Sequence, residues 1–251
     1  IAEFGLIQHK LGEMAARIYA GDAMTYRIAG MIEEHIQANT DTSLSYYTKI
    51  AQAYAEFSIE CALAKVMGSE AVAWIIDEGL QVFGGYGFIE EYPLARMSRD
   101  ARILRLYEGT SEICRLHAIG TILKRVAKGE LELMKAILKL RPSDKKDSSE
   151  GAEDSLSALA IQVCSAKKLT LHLGGLIMQR HTDPKALMGQ QELLAILADI
   201  ATDLLASESA VLRAMKVEAA MQDENAQLHA DLARVYVNGA MQRVRNHAEN
   251  A

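Results

Sequence analysis

The fold of this 251-residue chain is best worked out from the stretch Tyr107-Glu108-Gly109-Thr110-Ser111-Glu112. It places a carboxylate beside a glycine, just before a run with helical periodicity (Ile113, Leu116 and Ile119). Thr110 and Ser111 are typical helix N-cap residues. Glycine lets a ligand approach the backbone closely, and the free N–H groups of a helix start favour an anion. Alone, the stretch predicts only a loop followed by a helix cap, so the preceding sequence has to be considered.

A glycine-rich segment stands upstream, Gln81-Val82-Phe83-Gly84-Gly85-Tyr86-Gly87-Phe88. Three glycines within four positions predict the end of a helix and a loop with exposed backbone. Because a helix precedes it, the segment is not a dinucleotide-binding fingerprint of the strand-turn-helix type. A helix C-cap followed by a simple turn is the alternative interpretation.

The rest of the chain is predicted to be helical, because Ala, Leu, Ile and Met are abundant and only three prolines occur. A kink or a close helix contact is expected at Met67-Gly68-Ser69-Glu70, and a break near Ser207. The predicted helices cover 6–36, 45–82, 93–105, 111–128, 131–140, 155–179, 190–221 and 226–247. The fold class is therefore all-α.

The clearest linker is 141–154, a polar stretch rich in Ser, Asp, Lys and Glu. It separates a predicted helical bundle, 1–140, from an additional helical domain, 155–251. Asp154 is predicted to cap the first helix of the second domain. That domain is expected to be an antiparallel bundle. Its predicted core stripes are Ile161, Leu169 and Leu176, then Leu194, Leu197, Ile200 and Leu204, then Leu228, Leu232 and Val235.

Composition excludes several classes of function. The net charge of −6 argues against a nucleic-acid partner, which would require a basic patch. No apolar run is long enough to span a bilayer. Cys61, Cys114 and Cys164 lack metal-ligand spacing and are predicted to be reduced, buried thiols, so no metal site is expected. The chain does not begin with Met, and we expect it to be a fragment of a longer protein.

Five motifs in order carry a family resemblance: Phe4 to Leu11, Gly68-Ser69-Glu70, Gln81 to Gly87, Arg99-Asp100 and Tyr107 to Arg115. Together they resemble the acyl-CoA dehydrogenase family, specifically the C-terminal helical bundle of its catalytic core. Members of that family carry a smaller helical domain and a β domain before this bundle. Since both are absent here, the fragment alone is expected to be inactive. Gly5 and the extra region after the linker are similar to the very-long-chain type, which implies a homodimer.

The resemblance also implies roles for individual residues. Glu108 matches the base that removes the α-proton of an acyl-CoA thioester, while the β-hydrogen leaves as hydride to FAD, giving a trans-2-enoyl-CoA in fatty acid β-oxidation. Electron-transfer flavoprotein is the implied acceptor. Gly109 and Tyr107 match substrate contacts, and Arg99 and Asp100 match a motif with a structural role. The implied flavin contacts are Thr110, Ser111 and Glu112, with Gln81, Val82, Phe83, Gly84 and Gly85 holding the flavin of the other subunit.

Three alternatives stay open. The chain is compatible with a dehydrogenase for another acyl-CoA, or with a non-catalytic assembly or scaffold protein of the same fold. Peripheral membrane contact through 131–140, with Lys135, Lys139 and Arg141, competes with a plain connecting helix. The expected compartment is the cytoplasm of a bacterium, or the mitochondrial matrix if the protein is eukaryotic.

Overall fold

The regular structure of the chain is helical. A computed structural model describes residues 1–139, 155–181, 183–221 and 223–251. No strand occurs among those residues, and the predicted all-α class is confirmed. In chain order the helices are α1 (Gly5–Ala38), α2 (Tyr46–Glu56), α3 (Ser58–Phe83), α4 (Gly85–Phe88), α5 (Pro93–Arg102), a 3-10 turn (Ile103–Arg105), α6 (Ser111–Ala127), α7 (Leu133–Lys139), α8 (Leu156–Arg180), α9 (Pro184–Gly189), α10 (Gln191–Ala220) and α11 (Glu224–Glu249).

The chain divides into two compact units, Ile1–Ala118 and Ile119–Ala251, with the boundary inside α6. The linker predicted at 141–154, together with Leu140 and the Asp154 cap, lies outside the described residues. The predicted domain limits therefore stay a prediction. Ser155 caps α8, because its hydroxyl accepts a hydrogen bond from the N–H of Ala158 at 3.1 Å.

In the first unit, α3 is the central helix and packs against α1, α2, α4 and α5. The buried side chains come mainly from α1 (Ala16, Tyr19, Ala20, Ala23, Met24, Ile28 and Ile32) and α3 (Ile59, Leu63, Val66, Met67, Ala71 and Ile76). The prediction of one helix over 45–82 is wrong, because α2 ends and α3 begins around Phe57. The ring of Phe57 lies edge-on to that of His35 in α1, with 5.7 Å between the ring centres. The expected kink at Gly68 is absent because α3 runs through it, and the alternative of a close contact is also wrong, because a Cβ there would meet nothing within 4 Å.

The second unit contains a bundle of α8, α10 and α11. Ile200, Leu204 and Val244 form its core, packed against Ala166 and Leu173 of α8. Fully or nearly buried alanines are frequent on α10 and α11: Ala198, Ala206, Ala210, Ala214, Ala230, Ala233 and Ala240. The predicted break near Ser207 is wrong, because α10 is continuous and Ser207 is fully buried.

Several residues predicted for the core of the second unit are exposed instead. They are Ile161, Leu169, Leu176, Leu228 and Val235, each between 38% and 56% exposed. Small alanine side chains let the helix backbones approach closely, so larger apolar residues on the flanks are left outside the contact. Periodicity identified the apolar helices correctly and misplaced their contact faces.

The short helix α7 includes most of the segment predicted either to connect or to touch a membrane. Ile137 packs against α8, where a Cβ added at Gly175 would lie 3.1 Å from its side chain. Leu138 on the same helix is 79% exposed. The membrane hypothesis therefore stays a prediction, with Leu138 rather than Ile137 as its candidate contact. No helix of the described residues is long and apolar enough to span a bilayer.

The three cysteines differ in environment. Cys114 is buried and Cys61 is half-buried, with a thiol pKa raised by burial. Cys164 is exposed, so the prediction of three buried thiols is wrong for this residue. In the described residues, no cluster of three or more His, Cys, Asp or Glu side chains could hold a metal ion.

Gly87 is packed too tightly for a side chain. A Cβ at this position would lie 2.7 Å from the carbonyl oxygen of Leu80 and 3.1 Å from the Cβ of Phe83. We expect Gly87→Ala to displace α4 from the end of α3 at a cost of about 1–3 kcal/mol. Amide hydrogen exchange over residues 80–92 should accelerate. Gly68→Ala is the matched control, because a Cβ there meets nothing within 4 Å; equal exchange in the two variants would contradict the steric explanation.

Candidate functional site

The segment 106–110, between the 3-10 turn and α6, has an unusual backbone. Glu108 has φ +53° and Gly109 has φ +90°, so two consecutive residues lie in the left-handed region. Such a φ is uncommon for a residue other than glycine and points to a constrained turn. The N–H of Tyr107 donates to the carbonyl of Ile103 at 3.1 Å, which ties the start of this turn to the preceding 3-10 turn.

The turn exposes the functional groups of Glu108. Its side chain is exposed, and Tyr107 beside it is 46% exposed. Among the described residues, no hydrogen-bond partner is found for the backbone N–H of Glu108. One residue thus offers both a carboxylate and an unpaired N–H donor at the surface of this unit.

The start of α6 follows at once. The hydroxyl of Thr110 accepts a hydrogen bond from the N–H of Ile113 at 3.3 Å, so Thr110 caps the helix. Ser111 is 2% exposed, and its hydroxyl has no partner among the described residues. Glu112 is exposed. Hydrogen bonds from its own backbone N–H and from the Thr110 hydroxyl hold the pKa of Glu112 below its ordinary value.

Helix α3 supports this turn through polar side chains. The Lys65 ammonium donates to the carbonyl of Gly109 at 2.5 Å. The carboxylate of Glu70 pairs with Arg105 at 3.4 Å and with Arg115 at 3.7 Å, one on each side of the turn. Sequence reasoning did not identify Lys65, because nothing local relates it to a loop more than forty positions away.

The glycine-rich segment lies at the end of α3. Gln81, Val82 and Phe83 form the last helical turn, and Gly84 ends it at φ +58°, ψ −137°, a conformation essentially restricted to glycine. Gly85 then begins α4, so the predicted loop is wrong and a single helical turn occupies 85–88. Gln81, Phe83, Gly84 and Gly85 are exposed, and Val82 is half-buried.

Aromatic side chains surround this segment. The rings of Phe83 and Tyr86 lie 6.3 Å and 5.3 Å from that of Tyr92. Nearby, Arg99 pairs with Glu90 at 2.8 Å and lowers the pKa of that carboxylate. Both partners are exposed, so the structural role expected for Arg99 stays a prediction.

The two groups of predicted site residues lie near different parts of α3: the first contacts Lys65, and the second forms the end of the helix. At about 1.5 Å of rise per residue, Gln81 is roughly 24 Å farther along the helix axis than Lys65, which contacts the Glu108 turn. The structure therefore brings together residues 107–112, and it does not bring Gln81 to Gly85 next to them.

Comparison with known families identifies both parts of the chain. Residues 1–123 match one family model, and residues 165–251 match a second. Both models are described as acyl-CoA dehydrogenase, C-terminal domain.

Individual relatives agree with this assignment. A probable acyl-CoA dehydrogenase of Bacillus subtilis is 39% identical over the whole of this chain and 42% of its own length. The very long-chain specific enzyme of Rattus norvegicus is 39% identical over 46% of this chain and 15% of its own length. The short-chain specific enzyme of Bos taurus is 36% identical over 47% of this chain and 24% of its own length. These similar identities do not single out a chain-length type.

A solved structure gives the same result. The crystal structure of an acyl-CoA dehydrogenase from Bacillus anthracis, complexed with FAD, matches with a TM-score of 0.88 and 37% identity. It covers all of this chain, which spans 42% of that protein. The chain thus spans less than half the length of the relatives it matches. From the two family models and these relatives, the chain belongs to the acyl-CoA dehydrogenase C-terminal domain family.

Proposed function

We propose that this chain is the C-terminal part of an FAD-dependent dehydrogenase of acyl-CoA thioesters, with Glu108 as the base that removes the α-proton. The observation that carries the proposal is the left-handed turn at Glu108, which exposes a carboxylate and an unpaired backbone N–H on one residue. The family membership of the chain supports the reaction class.

The residues present fit a flavin in two places. At the start of α6, the Ser111 hydroxyl is buried and has no partner among the described residues, so it can bind a polar group of the ligand. At the end of α3, a Cβ on Gly84 or Gly85 would meet nothing within 4 Å, so the exposed backbone leaves room for a large ligand. The first place follows the turn that Lys65 contacts, and the second lies at the far end of α3. Because of this distance, we propose that Gln81 to Gly85 hold the flavin of a second subunit in a homodimer.

The residues of this chain act on the substrate in two ways. A carboxylate is a weak base for a carbon acid, so the thioester carbonyl has to be polarised as the proton leaves. The N–H of Glu108 donates to the thioester oxygen, and the Glu108 carboxylate takes the α-proton. The flavin, when bound, supplies the acceptor for the hydride that leaves the β-carbon. The product is a trans-2-enoyl-CoA, and Gly109, lacking a side chain, leaves space for the thioester beside Tyr107.

The wider setting is part of the same proposal. Long-chain acyl-CoA as substrate and a role in fatty acid β-oxidation are included in the proposal on the strength of Gly5 and the extra helical region alone. Electron-transfer flavoprotein is the proposed acceptor of the electrons. The proposed location is the cytoplasm for a bacterial protein and the mitochondrial matrix for a eukaryotic one.

The proposal is tested on the intact protein that contains this chain. We expect its flavin absorbance near the visible maximum to bleach when long-chain acyl-CoA is added without oxygen, and residues 1–251 alone to show no such change. A series of acyl lengths then measures chain-length preference. Stoichiometric FAD without bleaching at any acyl length would contradict the proposal and favour a scaffold of the same fold.

A further inference from the structure

We propose that Lys65 is a positioning residue for the reaction, acting by holding the Gly109 carbonyl and thereby the orientation of Glu108. This inference rests on the proposed function, since it concerns the placement of the proposed base. Lys65 is absent from every group of site residues predicted from the sequence.

The contact is short and comes from a rigid part of the fold. The ammonium of Lys65 lies 2.5 Å from the Gly109 carbonyl oxygen, and the bond is partly shielded from water. Its neighbours on α3, Leu63 and Val66, are 3% and 2% exposed, so the backbone that carries Lys65 is fixed by the core. A charge-assisted hydrogen bond of this kind is roughly twice as strong as one between neutral groups.

The turn needs such an anchor because of its own backbone. Glu108 and Gly109 both have positive φ, and glycine adopts many other conformations at little cost. Gly109 is therefore the flexible point between Glu108 and the start of α6. Binding its carbonyl fixes the peptide plane between Gly109 and Thr110, which removes that freedom. The thiol of Cys114 also donates to this oxygen, at 3.6 Å, and is a far weaker donor.

The remaining polar contacts hold the flanks of the turn. Glu70 pairs with Arg105 before the turn and with Arg115 after it. Neither pair reaches the two left-handed residues. Lys65 thus restrains the centre of the turn, while Glu70 restrains its two ends, and both act from α3.

The expected consequence is kinetic. Misplacement of a reacting group by about 1 Å can lower a rate by about a hundredfold without loss of ligand contacts. Since Lys65 acts through the backbone, its removal should slow flavin reduction at saturating acyl-CoA by roughly 10- to 100-fold. FAD content and the dissociation constant for acyl-CoA should stay close to those of the unchanged protein.

The experiment uses the intact flavoprotein with three single substitutions. Lys65→Met keeps the length of the side chain and removes the donor, and Lys65→Arg restores a cationic donor. Lys49→Met is the matched control, because Lys49 donates to the carbonyl of Asn39 at 2.6 Å, in another loop. Stopped-flow flavin reduction, acyl-CoA titration and amide hydrogen exchange over residues 107–115 are measured for each. Lys65→Met should show slower reduction and faster exchange, Lys65→Arg should recover both, and Lys49→Met should change neither.

The outcomes separate this inference from the proposed function. A reduction rate or loop exchange in Lys65→Met equal to that of the unchanged protein would overturn the positioning role while leaving the dehydrogenase proposal intact. A parallel loss of acyl-CoA affinity and no rescue by Lys65→Arg would also overturn it. If the unchanged protein is not reduced at all, the proposed function fails, and with it a role for Lys65 in the reaction. Should Lys65→Met lose FAD through unfolding, Lys65→Gln provides the same comparison.

Discussion

Replacing Glu108 by Gln should lower the rate of flavin reduction by acyl-CoA roughly 10²–10⁴-fold, the range for loss of a positioned general base. An amide keeps the size and most of the polar contacts of the carboxylate but cannot take the α-proton. The left-handed backbone of Glu108 should be unaffected, because the substitution leaves the Cβ in place. The measurement is anaerobic stopped-flow absorbance of the intact flavoprotein.

Measuring binding as well as flavin reduction shows whether Glu108 acts as the base or only binds the substrate. Glu108→Gln should retain FAD and bind long-chain acyl-CoA, since the proposed N–H donor of residue 108 is still present. Glu108→Asp withdraws the carboxylate by one methylene and should give an intermediate rate. Glu130→Gln, an exposed acid paired with Lys128 in the second unit, is the control and should reduce at the unchanged rate. Reduction of a flavin-replete Glu108→Gln protein at the unchanged rate would assign the base to another residue.

Replacing Asp203 by Ala should destabilise the α8–α10–α11 bundle by about 2–4 kcal/mol. Asp203 is 7% exposed and accepts two hydrogen bonds from Arg243, from Nε at 3.0 Å and from Nη2 at 2.7 Å. The hydroxyl of Tyr236 donates to the same carboxylate at 3.3 Å. Removing one partner of a buried pair typically costs about 3–5 kcal/mol, and the partial exposure of Arg243 reduces that cost.

Local stability is best measured in the intact protein by amide hydrogen exchange in α10 and α11, because a multidomain protein need not unfold in one step. The expected change corresponds to exchange about 30- to 1,000-fold faster in the slowest amides. Glu208→Ala on the same helix removes the more exposed pair with Lys167 and should cost less than about 1 kcal/mol. The double variant Asp203→Leu, Arg243→Met should recover most of the loss. Equal exchange in Asp203→Ala and Glu208→Ala would contradict the importance of the buried pair.

The helix boundaries show which features can be predicted from the local sequence. The predicted helices 6–36, 111–128 and 226–247 agree with α1, α6 and α11 to within a few residues. In each case apolar periodicity marks the body of the helix, and at two of the starts a polar cap is clear. Thr110 caps α6, and Asp223 caps α11 by accepting from the N–H groups of Asn225 and Ala226.

The errors occur where packing overrides local preference. Residues 45–82 are periodic throughout, yet the helix is interrupted at Phe57, where the ring contacts His35 of another helix. Large apolar residues such as Leu169 and Leu228 were assigned to the core and are exposed, whereas many alanines of the same bundle are buried. Periodicity reports that a face is apolar, and it does not report which of two apolar stripes meets a neighbour.

The sequence by itself determined the all-α class, the helix starts with polar caps, and the ordered motifs from which the family resemblance follows. Those features depend on residues within a few positions of each other, where side-chain type sets backbone preference directly. Only the tertiary structure showed the left-handed turn at Glu108, the Lys65 anchor on Gly109, and the distance that separates Gln81 from that turn. These depend on contacts between segments far apart in the chain, and such contacts are decided by how whole helices pack together.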